Sequence, residues 1–321
     1  MRIAWLLNLD AEAELAAHRA GRATNSTGGS ARRRQAAARA TLARAVGEGG
    51  LLGPRDLTLD PETFGPGTGG ALAGLDPSEV AAAAWMPTPL ARSILGSVGL
   101  ELDGPPAGVL IEANARETFA ALDPLPDATV ARSPGELRAA VERAPVPRSG
   151  IGASDRAAWV LRRSLCCAGG GRLIAERWGP EVAAWGEAAL ADGPVEVQPL
   201  VDIVDEYSIH GWVGREGELR LGLPLCWRPA RGTKAPAEGA ALSDVEAAKV
   251  TAAGREVGIA LGGLGYFGPF GVDAFRWQSA DGALRLQVGT DVNARMTLHF
   301  SRGAPELLPA ASAHQEHLAE G

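Results

Sequence analysis

Cysteine is scarce in this chain of 321 residues, and the few cysteines are poorly placed for a structural or metal-binding role. Cys166, Cys167 and Cys226 are odd in number, and two of them are adjacent. Such spacing matches neither a metal site nor a disulfide framework, so we expect three reduced thiols. A nucleophilic cysteine stays open, because one sequence does not reveal a Cys/His/Asn arrangement.

Excess positive charge and long apolar runs are also missing. The formal net charge is -7, whereas a nucleic-acid partner requires a basic surface. No apolar run approaches the roughly 20 residues that span a bilayer, and residues 1–10 are too short for a signal peptide. We therefore expect a cytoplasmic protein that binds neither nucleic acid nor membranes.

The common nucleotide-binding motifs are absent as well. The sequence contains no G-x-x-x-x-G-K-[ST] and no kinase catalytic loop. A G-x-G-x-x-G match at Gly263, Gly265 and Gly268 follows a predicted helix and precedes a predicted strand. Because a dinucleotide-binding turn has the reverse order, we interpret this match as coincidental.

The N-terminal part of the sequence predicts an α/β lobe that ends near residue 110. Residues 2–10 and 81–86 read as strands, the first of them buried and parallel, and residues 11–20 and 31–46 read as helices. Residues 47–74 are rich in Gly, Pro and Asp and predict an irregular connection. A chain of this length exceeds one ordinary core, so we expect further lobes and a ligand cleft between them.

From residue 157 onward the sequence predicts strands with one clear helix, and thus an α+β fold with a largely antiparallel sheet. Residues 214–217 and 279–282 predict hairpin turns. Ser243 and Glu246 form a capping box before a helix that reaches about Leu261, and Ser133 caps an earlier helix. The predicted strands cover residues 157–163, 195–201, 206–213, 218–225, 270–277 and 284–293.

Two acids and an amide in the last predicted hairpin form a candidate metal site. Asp273 and Asp291 lie on its two strands, and Asn293 shares a face with Asp291 because the two are separated by two positions. Carboxylate and amide oxygens suit magnesium held jointly with substrate phosphates. Arg295 continues the face, where a guanidinium binds phosphate or carboxylate. The alternative is a structural strand stabilised by salt bridges.

Two earlier segments carry candidate nucleotide-binding residues. A predicted strand with Arg162 leads into a glycine run, whose backbone N–H groups can approach anionic oxygens closely. A glycine-rich hairpin without a ligand is the alternative. Further on, Gln198 can offer donors and an acceptor to a purine, and Glu206 follows on the next strand. Gln198 can equally be an ordinary polar residue of a half-exposed strand.

In combination, these elements resemble the ATP-grasp superfamily. The order is a strand with a cation, a glycine-rich flap, an apolar strand, an acidic strand, a helix, then G-Y-x-G-P-F-G-V-D and D-x-N-x-R. The match is most specific over residues 265–295 and extends over about the last two thirds of the chain. It implies a variable lobe over 1–110, a linker and small subdomain with the flap over 111–197, a metal-bearing subdomain over 198–305 and a tail over 306–321.

The resemblance also implies an activity and a set of roles. ATP and Mg²⁺ bind between two subdomains, and a carboxylate is joined to an amine through an acyl phosphate. Residue by residue, it assigns magnesium to Asp273, Asp291 and Asn293, phosphate contacts and charge stabilisation to Arg116, Arg162 and Arg295, the flap to Gly169, Gly170 and Gly171, and nucleotide contacts to Gln198 and Glu206.

This sequence departs from the family pattern at several of these positions. Arginine replaces lysine at both Arg116 and Arg162, Gln198 replaces an acid, and Asp291 stands where glutamate is usual. Two alternatives therefore stay open, a degenerate domain that binds nucleotide or a partner without catalysis, and a phosphotransferase that uses the same site. The expected substrates are small-molecule or peptide carboxylates and amines, and a homodimer stays open.

Overall fold

The computed structural model describes residues 2–22, 57–59, 79–143, 158–166, 171–227, 241–279, 281–297 and 299–307. Within these ranges the strands form three sheets. The helix predicted over 31–46, the first two glycines of the predicted flap and the tail from residue 308 lie outside the described residues. Among the helices that are described, none is long and apolar enough to cross a membrane.

The N-terminal sheet is parallel, as predicted. It contains β1 (Arg2–Leu6), β2 (Leu57–Leu59) and β3 (Val80–Ala84) in the order β2-β1-β3. Its helices are α1 (Ala11–Arg19) and α2 (Pro89–Gly96). The prediction of an irregular connection over 47–74 is wrong at β2, where a short apolar segment pairs with β1.

The second sheet is antiparallel and has the order β4-β7-β5-β6. Its strands are β4 (Thr129–Ala131), β5 (Trp159–Arg163), β6 (Arg172–Ala175) and β7 (Val195–Pro199). Two helices, α5 (Pro134–Glu142) and α6 (Pro180–Leu190), bury apolar side chains against it around the fully buried Trp159. The predicted cap of α5 is confirmed, because the Ser133 hydroxyl accepts a hydrogen bond from the Glu136 N–H.

The third sheet is the largest and is also antiparallel, as predicted. It contains β8 (Asp202–Val213), β9 (Leu219–Leu221), β10 (Leu225–Trp227), β11 (Gly268–Gln278) and β12 (Leu284–Asn293). The order is β10-β8-β11-β12, and β9 pairs with β8. Both predicted hairpin turns are confirmed by backbone hydrogen bonds, from Gly214 N to Glu218 O and from Ser279 N to Ala283 O.

The two faces of the third sheet differ in chemistry. On one face Ile209, Val272 and Val292 pack into a core with α7 (Asp244–Gly263), which begins at the predicted Ser243 capping box. The short helices α3 (Ala107–Asn114) and α4 (Arg116–Phe119) also border this core, and α8 (Phe300–Gly303) and a 3₁₀ turn (Pro305–Leu307) end the described chain. Because side chains alternate along a strand, Ser208 and Asp273 lie on the opposite face.

The predicted division at residues 197 and 198 falls inside β7. The domain boundaries as a whole stay a prediction.

Candidate functional site

The register of β11 and β12 brings the three predicted magnesium ligands onto one face. Asp273 is the direct partner of Asp291, and Gly271 is the partner of Asn293. The Asn293 amide nitrogen lies 3.5 Å from an Asp273 carboxylate oxygen. A bulge follows, because Ala274 pairs with Val288, which leaves Gly289 and Thr290 unpaired. The three side chains therefore share one face of the hairpin, as their spacing predicted, and their role as metal ligands stays a prediction.

Asp291 is enclosed by two arginines from other elements. The first residue of α4, Arg116, donates from Nη1 to Oδ1 at 2.7 Å and from Nη2 to Oδ2 at 3.1 Å. From β5, Arg162 Nη2 lies 3.5 Å from Oδ2, and its Nη1 donates to the Thr290 carbonyl at 3.0 Å. A bidentate guanidinium fixes the carboxylate plane as well as its charge. The structure thus brings Arg116 and Arg162 to the predicted metal site.

Arg295 also joins the site, where it is buried. Its Nη2 donates to Asn293 Oδ1 at 2.7 Å, its Nη1 to the Met296 carbonyl at 3.1 Å, and its Nε to Glu12 Oε1 at 2.5 Å. The guanidinium also lies over the Trp85 ring, 5.4 Å from its centroid. These contacts orient the Asn293 amide. The contribution of Glu12 was not predicted, because α1 carries no pattern that points to residue 295.

Burial and neighbouring charge affect the two carboxylates differently. Burial, followed by the charge of Asp291, raises the pKa of Asp273 to about 7. Burial also acts to raise the pKa of Asp291, but Arg116 and Arg162 outweigh it and hold that pKa below its ordinary value. In turn, although burial opposes it, the charge of Asp291 raises the pKa of Arg116. Nearby arginines therefore outweigh the effect of burial at Asp291. At Asp273, burial and the charge of Asp291 outweigh the arginines.

The carboxylate and amide oxygens in this cluster fit a hard divalent cation such as magnesium. Among the described residues, Asp273 has one side-chain hydrogen-bond donor, the Asn293 amide. Opposite Asp273 on β8, the buried Ser208 hydroxyl has no hydrogen-bond partner within the described part of the chain. Arg116 and Arg162 make three hydrogen bonds to the Asp291 carboxylate, which offers about four acceptor positions. No group of three or more His, Cys, Asp or Glu forms a metal cluster within the described ranges, so phosphate or water oxygens are needed to complete the coordination shell.

A hydrogen-bonded triad positions Arg116 and Arg162 relative to each other. The Arg116 N–H donates to the Ser164 carbonyl at 3.2 Å, directly beyond the end of β5. The Ser164 hydroxyl donates to Glu117 at 2.6 Å and accepts from Arg19 at 2.9 Å, and Arg19 pairs with Glu117 at 2.9 Å. These residues join α1, α4 and β5. Sequence reasoning missed them, since the contacts link positions far apart in the chain.

The glycine run follows β5, as predicted, but only Gly171 is described. It has a positive φ of 69°, and its carbonyl accepts a hydrogen bond from the Arg163 N–H at 3.0 Å. The strands on either side pair in antiparallel fashion, with Arg162 opposite Arg172. Gly169 and Gly170 lie outside the described residues, so the flap stays a prediction.

Gln198 and Glu206 lie on the strands where they were predicted. On β7, Gln198 lines a cavity of about 20 Å³ between the second and third sheets. On β8, Glu206 is the partner of Phe275, which lies two positions from Asp273 on β11. Both side chains are therefore near the acidic cluster, while their contact with a nucleotide stays a prediction.

The G-x-G-x-x-G match and Cys166 lie within the described residues. The G-x-G-x-x-G match runs from the last residue of α7 to the first residue of β11, so it is no dinucleotide-binding turn. Cys166 forms no disulfide with another described residue, and Cys167 lies outside the described residues. The half-buried Cys166 lies 3.8 Å from Arg116 Nη2.

No protein-family model and no curated protein matches the chain. Similar solved structures include D-alanyl-alanine synthetase A from Vibrio cholerae, with 12% identity, a TM-score of 0.49, and coverage of 98% of this chain and 93% of that one. N5-carboxyaminoimidazole ribonucleotide synthetase from Thermus thermophilus has 19% identity, a TM-score of 0.45, and coverage of 92% and 72%. The N5-carboxyaminoimidazole synthetase from Staphylococcus aureus complexed with ADP has 12% identity, a TM-score of 0.46, and coverage of 96% and 77%.

The chain resembles the ATP-grasp superfamily. The resemblance lies in the order of its motifs and in the strand pair that carries Asp273, Asp291 and Asn293. At TM-scores below 0.5, the three solved structures assign no activity and no residue role to this chain.

Proposed function

We propose that the chain is an ATP-dependent ligase that joins a carboxylate to an amine through an acyl phosphate, with Mg²⁺. The observation that supports this most is the convergence of two acids, an amide and two arginines at one edge of the third sheet. Polyphosphate binding requires fixed positive charge together with oxygen donors for a cation, and this edge offers both.

In this proposal, Arg116 and Arg162 bind the phosphates. Both guanidiniums now point at Asp291, whose carboxylate resembles a phosphate edge in its oxygen spacing. A triphosphate bound at the same edge would replace Asp291 as the acceptor of hydrogen bonds from these two guanidiniums. The side chain of Arg116 is only 8% exposed, so it loses few water contacts when it turns to a phosphate.

Bound magnesium would be held by Asp273, Asp291 and Asn293 and would neutralise charge on the β- and γ-phosphates. An oxygen of the substrate carboxylate attacks the γ-phosphorus, and the bond from that phosphorus to the bridging oxygen of ADP breaks. Arg162 stabilises the charge that shifts to the phosphates, and the glycine flap excludes water. The amine nitrogen then attacks the acyl carbon, loses a proton, and inorganic phosphate leaves.

For Arg295 the contacts favour a positioning role over a direct phosphate contact. Its guanidinium donates to Glu12, Asn293 and the Met296 carbonyl, and it is buried. It therefore fixes the Asn293 amide, whose oxygen accepts from Arg295 and whose nitrogen lies beside Asp273. This differs from the role that the family resemblance implies for this position.

A second candidate is nucleotide binding without ligation. It is favoured by the bidentate pair between Arg116 and Asp291, because a carboxylate that is already neutralised by arginine holds a cation less strongly. In that case the site would bind ATP but release no ADP.

Magnesium-dependent ADP release distinguishes these functions. We would supply a panel of amino acids and short peptides as carboxylate and amine donors, and identify products by mass spectrometry. A ligase gives an amide and free phosphate, and Asp273→Asn should abolish its ADP release, whereas Asp244→Asn on the exposed start of α7 should not. A phosphorylated final product would indicate a phosphotransferase, and tight ATP binding with no ADP release would indicate the second candidate.

A further inference from the structure

A small cavity with two carboxamides lies between the second and third sheets. Gln198 reaches it from β7 and Gln287 from β12, and the rings of Phe119 and Phe275 also line it. Gln287 is the strand partner of Phe275, which lies two positions from Asp273 and so on the same face of the sheet. The cavity is thus about two residues, or roughly 7 Å, along the sheet from the acidic cluster.

Gln287 is buried but incompletely satisfied. Its side chain is 6% exposed, and its amide nitrogen has no hydrogen-bond acceptor among the residues that the structure describes. An unpaired buried donor is costly, so natural proteins retain few of them without a functional or solvent partner. The Gln287 amide nitrogen is therefore expected to donate to an acceptor on a ligand or on a water molecule.

The neighbouring backbone offers few alternative donors. Pro199 has no N–H, and the Leu200 N–H already donates to the Ala158 carbonyl at 2.8 Å. A ligand that needs a hydrogen-bond donor beside the end of β7 must therefore find one on a side chain. Gln287 and Gln198 are the amides that line this space.

We propose that Gln287 recognises the nucleobase of the bound nucleotide, by donating from its amide nitrogen to a ring nitrogen of adenine and accepting from the exocyclic amine. This inference rests on the proposed function, since it takes the phosphates to lie at Asp273 and Asp291. A side-chain carboxamide can pair with adenine through two hydrogen bonds, one donated by its nitrogen and one accepted by its oxygen. Phe119 and Phe275 supply apolar surface for the faces of the base.

The cavity must open to admit a base. Its volume of about 20 Å³ holds a single water molecule, and a purine is several times larger. Phe119 ends the short helix α4, whose first residue is Arg116. If Arg116 releases Asp291 and the base enters beside Phe119, both events therefore move the same four-residue helix.

The test compares ATP with inorganic tripolyphosphate, which carries the charge but no base. Calorimetric titrations would use the full chain, Gln287→Leu, and the control Gln278→Leu, whose amide lies on the same sheet and donates to the Gly282 carbonyl. We expect Gln287→Leu to weaken ATP binding about 5- to 10-fold and to leave tripolyphosphate binding unchanged. The control should change neither affinity.

The melting temperature separates a ligand contact from a structural one. Because Gln287→Leu removes an unpaired buried donor, the ligand-free variant should melt at the same temperature as the parent or higher. A lower melting temperature together with an unchanged ratio of ATP to tripolyphosphate affinity would overturn this inference and leave the proposed function standing. If the parent chain binds neither ligand, the proposed function fails and this inference fails with it.

Discussion

At the residue scale, Asp273 and Asp291 show how environment separates two identical side chains on paired strands. Asp291 has two guanidinium partners and a lowered pKa, whereas burial and the charge of its neighbour raise the pKa of Asp273 to about 7. An acid that is difficult to ionise in the free protein gains most from an incoming cation. Of the two carboxylates, Asp273 is therefore the one for which we most strongly predict a ligand role.

Asp273→Asn should abolish magnesium-dependent ADP release and also stabilise the ligand-free protein at high pH. The folded-state pKa lies above the ordinary value of 3.8, so the stability from this group is full below about pH 4 and is lost as pH rises through 7. Removing the charge should gain about 1 to 3 kcal/mol at pH 8 and almost nothing at pH 4. Urea denaturation at both pH values measures this, and an equal change at both would contradict it.

Asp291→Asn should behave in the opposite way, because it leaves the buried Arg116 guanidinium without its main partner. We expect a loss of about 2 to 4 kcal/mol at pH 7. The double variant Asp291→Asn, Arg116→Met should recover part of this loss, which a double-mutant cycle would detect. Strict additivity of the two single changes would show that the pair contributes no coupling. Loss of activity in Asp291→Asn alone therefore does not establish a metal ligand.

Residue spacing predicted the local part of this site, the family resemblance alone brought in Arg116 and Arg162, and the contact of Glu12 with Arg295 was missed. The D-x-N-x-R spacing placed Asp291 and Asn293 on one face, because strand side chains alternate whatever the surroundings. The pairs Arg116–Asp291 and Glu12–Arg295 join residues 175 and 283 positions apart. No periodicity encodes such contacts, since they depend on how the sheets pack together. The arginine pairing that lowers the pKa of Asp291 was unpredictable for that reason.

At the element scale, β12 presents ligand groups on one face and core residues on the other. Val292 is 9% exposed and packs into the core that includes α7. Val292→Asp should destabilise the protein by about 3 kcal/mol or more, because it buries an unpaired charge. Leu284→Asp is the matched control, since Leu284 begins the same strand and is 59% exposed. Similar unfolding midpoints in urea for both variants would contradict the assignment of faces.

Close packing of α7 on the third sheet depends on glycine. A Cβ at Gly254 would lie 2.8 Å from Ile209 Cγ2, whereas a Cβ at Gly262 would lie 3.5 Å from its nearest neighbour, which is ordinary contact. We expect Gly254→Ala to cost about 1 to 3 kcal/mol and Gly262→Ala to stabilise by up to about 1 kcal/mol through helix propensity. Thermal unfolding of the two variants checks this. If both shift the melting temperature in the same direction, α7 packs less closely than described.

Helices and strands with strong local sequence signals were predicted better than short strands without such signals. Strand alternation and the Ser243 capping box are strong local signals, and they identified β8, β11, β12 and α7. β2 has only three residues and lies in a glycine- and proline-rich segment, so its strand conformation comes from pairing with β1 rather than from local propensity. Tertiary pairing of this kind has no sequence signal.

At the scale of the whole molecule, the candidate site joins the second and third sheets to helix α1. Glu12 and Arg19 reach it from α1, Ser164 from the end of β5, and Asp273 from β11. A ligand that bridges these groups binds only when the lobes are folded and assembled. Its binding energy is therefore added to the stability of the assembled chain.

ATP with Mg²⁺ should accordingly raise the melting temperature of the whole protein. At a nucleotide concentration of about 100 times Kd, the stabilisation is about 2.7 kcal/mol, which corresponds to roughly 4 °C for a chain of this size. Arg162→Ala should reduce this shift, because it removes a guanidinium beside Asp291. Arg138→Ala is its control, since Arg138 forms an exposed pair within α5.

Chelation of the metal extends this experiment to the individual ligands. If magnesium binds between the phosphates and Asp273, EDTA should lower the ATP-induced shift in the parent chain but have little effect in Asp273→Asn. The shift that remains with EDTA then reports phosphate binding by Arg116 and Arg162, which needs no metal. An equal response of both proteins to EDTA would remove Asp273 from the metal site. The absence of any shift in the parent chain, with or without magnesium, would show that this edge of the sheet is not a nucleotide site, and its arginines and carboxylates would then be a structural ion-pair network.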